Sequence, residues 1–327
     1  MWFEWLTGFR EANVDDVPSQ FSLDGEWLTS TANSRTMRAG RFEMVSLDEL
    51  RRRAANLSKA PGSLRLSEHV ANAQSLHVDP ASAGAMFQVA SQFNMLEMTG
   101  PSITPEEGID RYEHDRTQGP ACAVACGAGT IYRNYLVPVG DRTGQSSRRQ
   151  LNGLADLATA LGVDVPMRNG YALPSAAQLD QIGARLRTCD EPTRHDLMGL
   201  LRIGLQWDTE VTVEATGHVV SQAYCAALPM AYASHPAGRW EPFARLVLEA
   251  AYEATLAAAV VNAHATGNRR VYLTLLGGGA FGNPTPWIID AMAHACVTYA
   301  TADLDAAVVS YRRANPRLGD LLNSVRS

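Results

Sequence analysis

The run Val271-Tyr-Leu-Thr-Leu-Leu-Gly-Gly-Gly-Ala-Phe-Gly-Asn283 constrains this chain more than any other stretch. A short apolar segment, Val271 to Leu276, drops into Gly277, Gly278 and Gly279. Ala280, Phe281, Gly282 and Asn283 follow, and a helical pattern opens around Pro284 to Pro286. The order predicts a buried strand, a glycine-rich turn and a helix N-terminus. Glycines let backbone N–H groups approach a bound anion with no Cβ in the way. The helix start behind them adds partial positive charge and unpaired donors. A phosphate or diphosphate suits such a turn; on the plainer reading it only reverses the chain.

Neither common nucleotide fingerprint fits. A P-loop needs a Lys after its last glycine, and Phe281 and Asn283 stand in that region. Gly-x-Gly-x-x-Gly can be laid over Gly277, Gly279 and Gly282, but only about forty residues remain after it, too few for the rest of a dinucleotide domain.

With 327 residues, 46% of them hydrophobic, the chain can bury a substantial core. Its net charge of −6 gives no electrostatic footprint for nucleic acid or anionic membrane. The clusters Arg51-Arg52-Arg53 and Arg148-Arg149 are short and read as solvated faces. Met1-Trp-Phe-Glu-Trp-Leu lacks the basic and apolar regions of a signal peptide. The apolar run Ala254 to Val261 falls short of the ~20 residues of a membrane span, so a cytoplasmic protein is expected. Five cysteines, an odd and scattered set, argue against a disulfide framework. Cys122 and Cys126 have helical spacing, but with no second His or Cys pair nearby no metal site and no cofactor is expected.

Along the chain, Asp24-Gly25 between short apolar segments predicts a hairpin. Ser46 with Glu49 predicts a helix start, its body running to about Asn56. Strands are expected at Ser63–Ser67 and through Gln88, and a helix start at Thr104-Pro-Glu-Glu107. Further helices are expected over Ala121–Ile131, Leu151–Leu161, Ser175–Arg187 and Pro192–Leu201. A hairpin of Gln206–Ala215 with Val219–Ala227 comes next, then a long Ala-rich helix from Glu241 to Ala265 with apolar positions at helical period. Val271–Leu276, a helix over Trp287–Val297 and a last strand, Ala306–Ser310, complete the pattern. Gly140 to Arg149 reads as an exposed excursion. The sum is an α/β fold with helices covering a central sheet and a β-rich N-terminal extension.

Two polar segments could join the glycine loop at one end of that sheet. In the first, a strand ends in Gln92, Phe93, Asn94 and Glu97. Amides beside an aromatic ring suit a sugar hydroxyl or a base edge, or equally a loop held by its own side-chain bonds. The second, Tyr112-Glu-His-Asp-Arg-Thr-Gln-Gly-Pro120, carries Asp115 and Arg116 into a helix start, either as an anion-binding turn or as a surface ion pair.

The trio resembles the macrodomain superfamily, in particular its poly(ADP-ribose) glycohydrolase-like branch. Ala90-Ser-Gln-Phe-Asn94 is similar to that branch's Asn-containing strand end. Thr117-Gln-Gly-Pro-Ala-Cys-Ala-Val-Ala-Cys-Gly-Ala-Gly129 is similar to its first glycine loop and helix, and Leu275 to Pro284 to the loop closing over the diphosphate. The likeness covers roughly residues 85 to 310. It implies a three-layer domain with a central mixed sheet, expected over 61–327; the N-terminal extension of hairpin and helix, expected over 1–60, falls outside the likeness. The likeness also implies binding of ADP-ribose or an ADP-ribosylated macromolecule. Gln92, Phe93, Gln118, Gly119, Gly277, Gly278, Gly279, Ala280, Phe281, Gly282 and Asn283 would then line the site, with Asn94 on the distal ribose. One departure stands out. The branch carries paired glutamates after its first loop, whereas Pro120 to Tyr135 holds no carboxylate. Hydrolysis of the ADP-ribosyl glycosidic bond is the expected activity, because Asn94, Glu97 and Asp115 form a polar set richer than passive binding needs; its acid would have to come from Glu97 or Asp115. A non-catalytic ADP-ribose reader, or an interaction protein whose loops are only turns, stays open.

Overall fold

The structure, a computed structural model, describes residues 1–57 and 62–326, with side chains through residue 323. Helix α1 (Trp2–Thr7) ends at Gly8 in the left-handed conformation. An antiparallel meander follows, made of β1 (Phe21–Asp24), β2 (Trp27–Ser30) and β3 (Thr36–Arg38). Gly25, at φ +57, makes the expected β1–β2 turn. Strand β4 (Arg41–Ser46) runs into α2 (Leu47–Ala55), where the Ser46 hydroxyl accepts from the Glu49 N–H as the sequence pattern requires.

Next come β5 (Arg65–Val70), α3 (Ala73–Val78), β6 (Met86–Ser91), α4 (Gln118–Ala125) and α5 (Gly127–Ile131). The small hairpin β7–β8 (Pro138–Val139, Arg142–Thr143), helix α6 (Ala155–Ala160) and a second small hairpin β9–β10 (Met167–Arg168, Tyr171–Ala172) follow. The second half holds α7 (Ala176–Thr188), α8 (Glu191–Gly199), β11 (Arg202–Glu210), β12 (Val219–Ala226) and α9 (Ala237–Thr266). It closes with β13 (Arg270–Leu273), α10 (Thr285–Thr298), β14 (Asp305–Ser310) and α11 (Gly319–Arg326).

The central sheet has seven strands in the order β4-β11-β12-β6-β13-β14-β5. β4, β11 and β12 pair antiparallel; from β12 to β5 every pairing is parallel. The sheet is mixed and covered on both faces, the expected three-layer α/β arrangement. Alternation along β6 shows why: Met86 joins the large core beneath α9, while Phe87 and Val89 pack on the opposite face with Cys126 and Cys122. Helix α9 has the length and apolarity of a membrane span, with a mean hydropathy of 1.3, yet 78% of that window is buried inside the protein. It is the core helix of one layer, packed by α2, α7, α8 and α10. The residues expected as a separate extension supply β4 to the sheet edge and α2 to this layer; the boundary expected at residues 60 and 61 lies outside the described residues.

Several expected helices come out shorter. Thr104-Pro-Glu-Glu107 forms its capping box but only a single 3-10 turn, because Gly108 at φ +81 turns the chain away. The small-residue helix breaks at Cys126, where the Thr212 hydroxyl accepts from Gly127 N–H at 2.8 Å and starts α5 afresh. The helix expected from Leu151 begins only at Ala155, since Gly153 bonds instead to Phe93 and Arg202 across the loop. β11 starts at Arg202 rather than Gln206, and α11 adds a helix beyond the last expected strand. Within the excursion at 140–149, Gln145 is buried, its amide donating to the carbonyls of Asn94 and Arg133 at 3.0 Å.

Candidate functional site

The site begins with a parting of two strands. β13 pairs with β6 only at Val271–Met86 and Tyr272–Phe87, which is why it stops at Leu273 rather than Leu276. Past that point Gln88 Oε1 accepts from Thr274 N–H at 3.2 Å. The Tyr252 hydroxyl donates to Thr274 O at 2.6 Å and accepts from Leu276 N–H at 2.9 Å. On the other bank, Gln118 stands in for the missing strand. Its Oε1 accepts from Ala90 N–H at 2.9 Å and its Nε2 donates to Gln88 O at 2.7 Å. Five main-chain groups along the opening, Gln88 O, Ala90 N–H, Thr274 N–H, Thr274 O and Leu276 N–H, thereby find side-chain partners where a neighbouring strand would have supplied them.

Between the banks lies a cleft of about 230 Å³ at the carboxyl ends of the parallel strands, where open α/β sheets place their ligands. Past Asp115, Thr117, Gln118, Thr274 and Leu275 it continues into a cavity of about 1430 Å³ that reaches Asn72, Tyr311 and Asn315.

The glycine loop forms one wall. Gly277 at φ +73 turns the chain and accepts from Asn283 N–H at 2.9 Å. The Asn283 amide donates to Leu228 O at 2.9 Å and to Gly277 O at 3.3 Å, pinning the loop from below. Gly277, Gly279, Ala280 and Phe281 therefore face the cleft. Gly278, Gly282 and Asn283 do not line it; Gly278 sits over Ile288, and Asn283 is a buried strut.

The opposite wall is the first turn of α4, where the N–H groups of Gln118 and Gly119 have no partner within the helix, Pro120 has no N–H and Ala121 N–H donates to Thr117 O at 3.2 Å. A Cβ at Gly119 would stand 1.9 Å from Ala90 O and 3.2 Å from Cγ of Glu97, so only glycine lets α4 come this close. Behind it lies Glu97, 2% exposed and on the cleft wall. Arg133 Nη2 reaches its two carboxylate oxygens at 3.3 and 3.4 Å, long for a charge-assisted bond. Burial pushes the Glu97 carboxyl up to about 7, with Arg133 pulling the other way. Asp115, half-buried, shares the cleft and accepts from Thr117 N–H at 2.9 Å.

The loop from Gln92 to Glu97 divides its residues differently from the sequence expectation. Gln92 lines the cleft with its amide engaged on both sides by the Met98 backbone, at 2.9 and 3.2 Å. Phe93 is core. Asn94 is fully buried, its Oδ1 accepting from Leu96 N–H and its Nδ2 donating to Gln150. Both side chains point away from the cleft because Met95, at φ +63, folds the loop into a tight turn.

Three features escaped the sequence reading. Tyr171 and Tyr232 join Phe281 in an aromatic cluster at one end of the cleft, with ring centroids 5.0 to 5.9 Å apart. The Asn169-Gly170 turn of the β9–β10 hairpin, both residues at positive φ, was the available signal for Tyr171. Thr274 lines the same wall. Arg133, fully buried between Tyr224 and Glu97, carried no signal in its own stretch of sequence.

No family model matches the chain, and no curated protein matches it. Among solved structures it is similar to poly(ADP-ribose) glycohydrolase from Thermomonospora curvata, at a TM-score of 0.43 and 13% identity, covering 95% of this chain and 94% of that one. The same enzyme bound to the inhibitor ADP-HPD gives 0.44 and 12% over the same shares. Poly(ADP-ribose) glycohydrolase from Deinococcus radiodurans in complex with ADP-ribose gives 0.42 and 10%, covering 87% of this chain and 92% of that one. What those enzymes bind is a property of those chains.

Proposed function

We propose that this macrodomain-like cleft binds ADP-ribose, free or attached to a macromolecule, and hydrolyses the ADP-ribosyl glycosidic bond. The carrying observation is Glu97, a buried carboxyl packed behind Gly119 at the start of α4, lining the same cleft as the glycine loop. Backbone donors of the loop and of the α4 N-terminus suit a diphosphate. The anomeric C–O bond breaks through an oxocarbenium-like state, and Glu97 gives its proton to the departing oxygen. Water adds to the anomeric carbon and yields its proton to a carboxylate; Asp115 is the second one in the cleft.

A second reading, a non-catalytic reader, draws support from α4, whose residues Gln118 to Ala125 include no carboxylate. Calorimetry with ADP-ribose, AMP and NAD tests binding: selective micromolar affinity for ADP-ribose supports both readings, and no heat with any of them retires both. Release of ADP-ribose from a modified protein or nucleic acid then separates hydrolase from reader.

A further inference from the structure

A fully buried arginine needs its charge and its five N–H donors satisfied. Arg133, 0% exposed, meets that need largely without a carboxylate. Its Nε donates to Met95 O at 3.0 Å and its Nη2 to the Thr130 hydroxyl at 3.3 Å. The guanidinium lies 3.6 Å from the ring centroid of Tyr224, and its Nη1 donates to the Tyr224 hydroxyl. Glu97 contributes only the two long contacts. The cation is thus supported by neutral acceptors and an aromatic face, and Glu97 can gain or lose a proton without leaving it bare.

The support continues in one direction. The Tyr224 hydroxyl donates to Gln222 Oε1, and Gln222 Nε2 donates to Cys122 O at 2.9 Å and to His77 Nε2 at 3.0 Å. His77 Nε2 must then be unprotonated, so Nδ1 carries the proton and donates to Ala73 O at 2.7 Å. That tautomer is neutral, in keeping with complete burial, which pushes the imidazole down to about 4. The other titratable groups around Glu97 are Tyr112, Tyr224 and Cys122, all held neutral by burial, and Asp115 across the cleft.

We infer that Arg133, oriented by the Tyr224–Gln222–His77 chain, is the positioning residue for Glu97: it fixes the carboxyl behind Gly119 and sets the balance between its two protonation states. The functional consequence rests on Glu97 being the acid of the proposed hydrolysis; the electrostatic one does not. Removing the cation should raise the Glu97 midpoint, because the carboxylate loses its partner. Removing the Tyr224 hydroxyl should lower it, because Arg133 then leans harder on Glu97.

The test is a pH titration of the carboxyl carbons by NMR in protein labelled at glutamate, with the Glu97 signal assigned by its absence in Glu97→Gln. It is run on wild type, Arg133→Met and Tyr224→Phe, each checked for fold by thermal melting. Displacements of about one pH unit in opposite directions are expected, and the alkaline limb of ADP-ribose release should move with them. Should Arg133→Met fail to fold, Tyr224→Phe decides alone. A folded variant whose Glu97 midpoint stays at the wild-type value overturns the inference. Absence of ADP-ribose release from wild type, with the midpoints displaced as expected, overturns the functional reading and leaves the electrostatic one standing.

Discussion

Gly119 and Ala90 touch so closely that a single methyl group at position 119 would overlap the Ala90 carbonyl oxygen, at 1.9 Å. Gly119→Ala should therefore push α4 away from β6 and disturb Glu97 beneath it. A loss of about 1–3 kcal/mol is expected from overpacking against backbone that cannot rotate away. Urea unfolding measures it, and wild-type stability in the variant would show that the contact is looser than described.

Glu97→Gln keeps the shape and one acceptor oxygen for Arg133 but cannot deliver a proton. Release of ADP-ribose should fall by about two to four orders of magnitude, the usual worth of a general acid, with ADP-ribose affinity little changed. Asp115→Asn should cost less, since a positioned water retains some nucleophilicity. If both variants release at the wild-type rate, neither carboxylate takes part.

Stability should respond to pH through two opposed groups. Glu97 titrates at about 7 in the folded state, against ~4.3 when unfolded. Between those values the folded protein holds the extra proton. Its contribution is therefore complete below the unfolded value and lost as pH rises through about 7, an effect of roughly 4 kcal/mol. His77 titrates at about 4 when folded, against ~6.5 unfolded. Its contribution is present above the unfolded value and lost as pH falls through about 4. Over the interval the two share, the slopes of Glu97 and His77 oppose one another. In His77→Gln the Glu97 slope should emerge, stability falling with rising pH in urea unfolding across that interval. A flat profile in that variant would contradict the raised Glu97 value.

Asn283 supports the glycine loop from inside the protein. Asn283→Ala removes the side-chain donors to Leu228 O and Gly277 O; each carbonyl keeps a backbone donor, Met230 N–H and the N–H of residue 283, so a cost of about 0.5–1.5 kcal/mol per lost bond is expected. ADP-ribose should bind more weakly as the loop loosens. Calorimetry finding intact affinity in a destabilised variant would separate the loop from binding.

Periodicity and punctuation carried most of the architecture: the Ser46 cap, the Asp24-Gly25 turn, the long core helix and the strand before the glycine loop could be read from the chain. Local pattern failed where distant residues decide. Thr212 restarts a helix at Gly127, and Gly153 is held by Phe93 and Arg202, neither of which sequence spacing reveals. The site was legible to the level of loops but not of side chains. Residues 92 to 97 were singled out together, yet the positive φ of Met95 decides that Gln92 and Glu97 reach the cleft while Phe93 and Asn94 do not.

The order of the central sheet has a kinetic consequence. Its outer strands, β4 and β5, come from the first quarter of the chain, but they pair with β11 and β14, Arg65 lying opposite Asp305. Such separated partners make loop closure costly and folding slow. β5 stays an unpaired edge until β14 is in place, so a chain cut short before residue 305 would keep that edge open to pairing with another molecule. Interruption of synthesis near its end should therefore yield aggregates rather than a folded fragment.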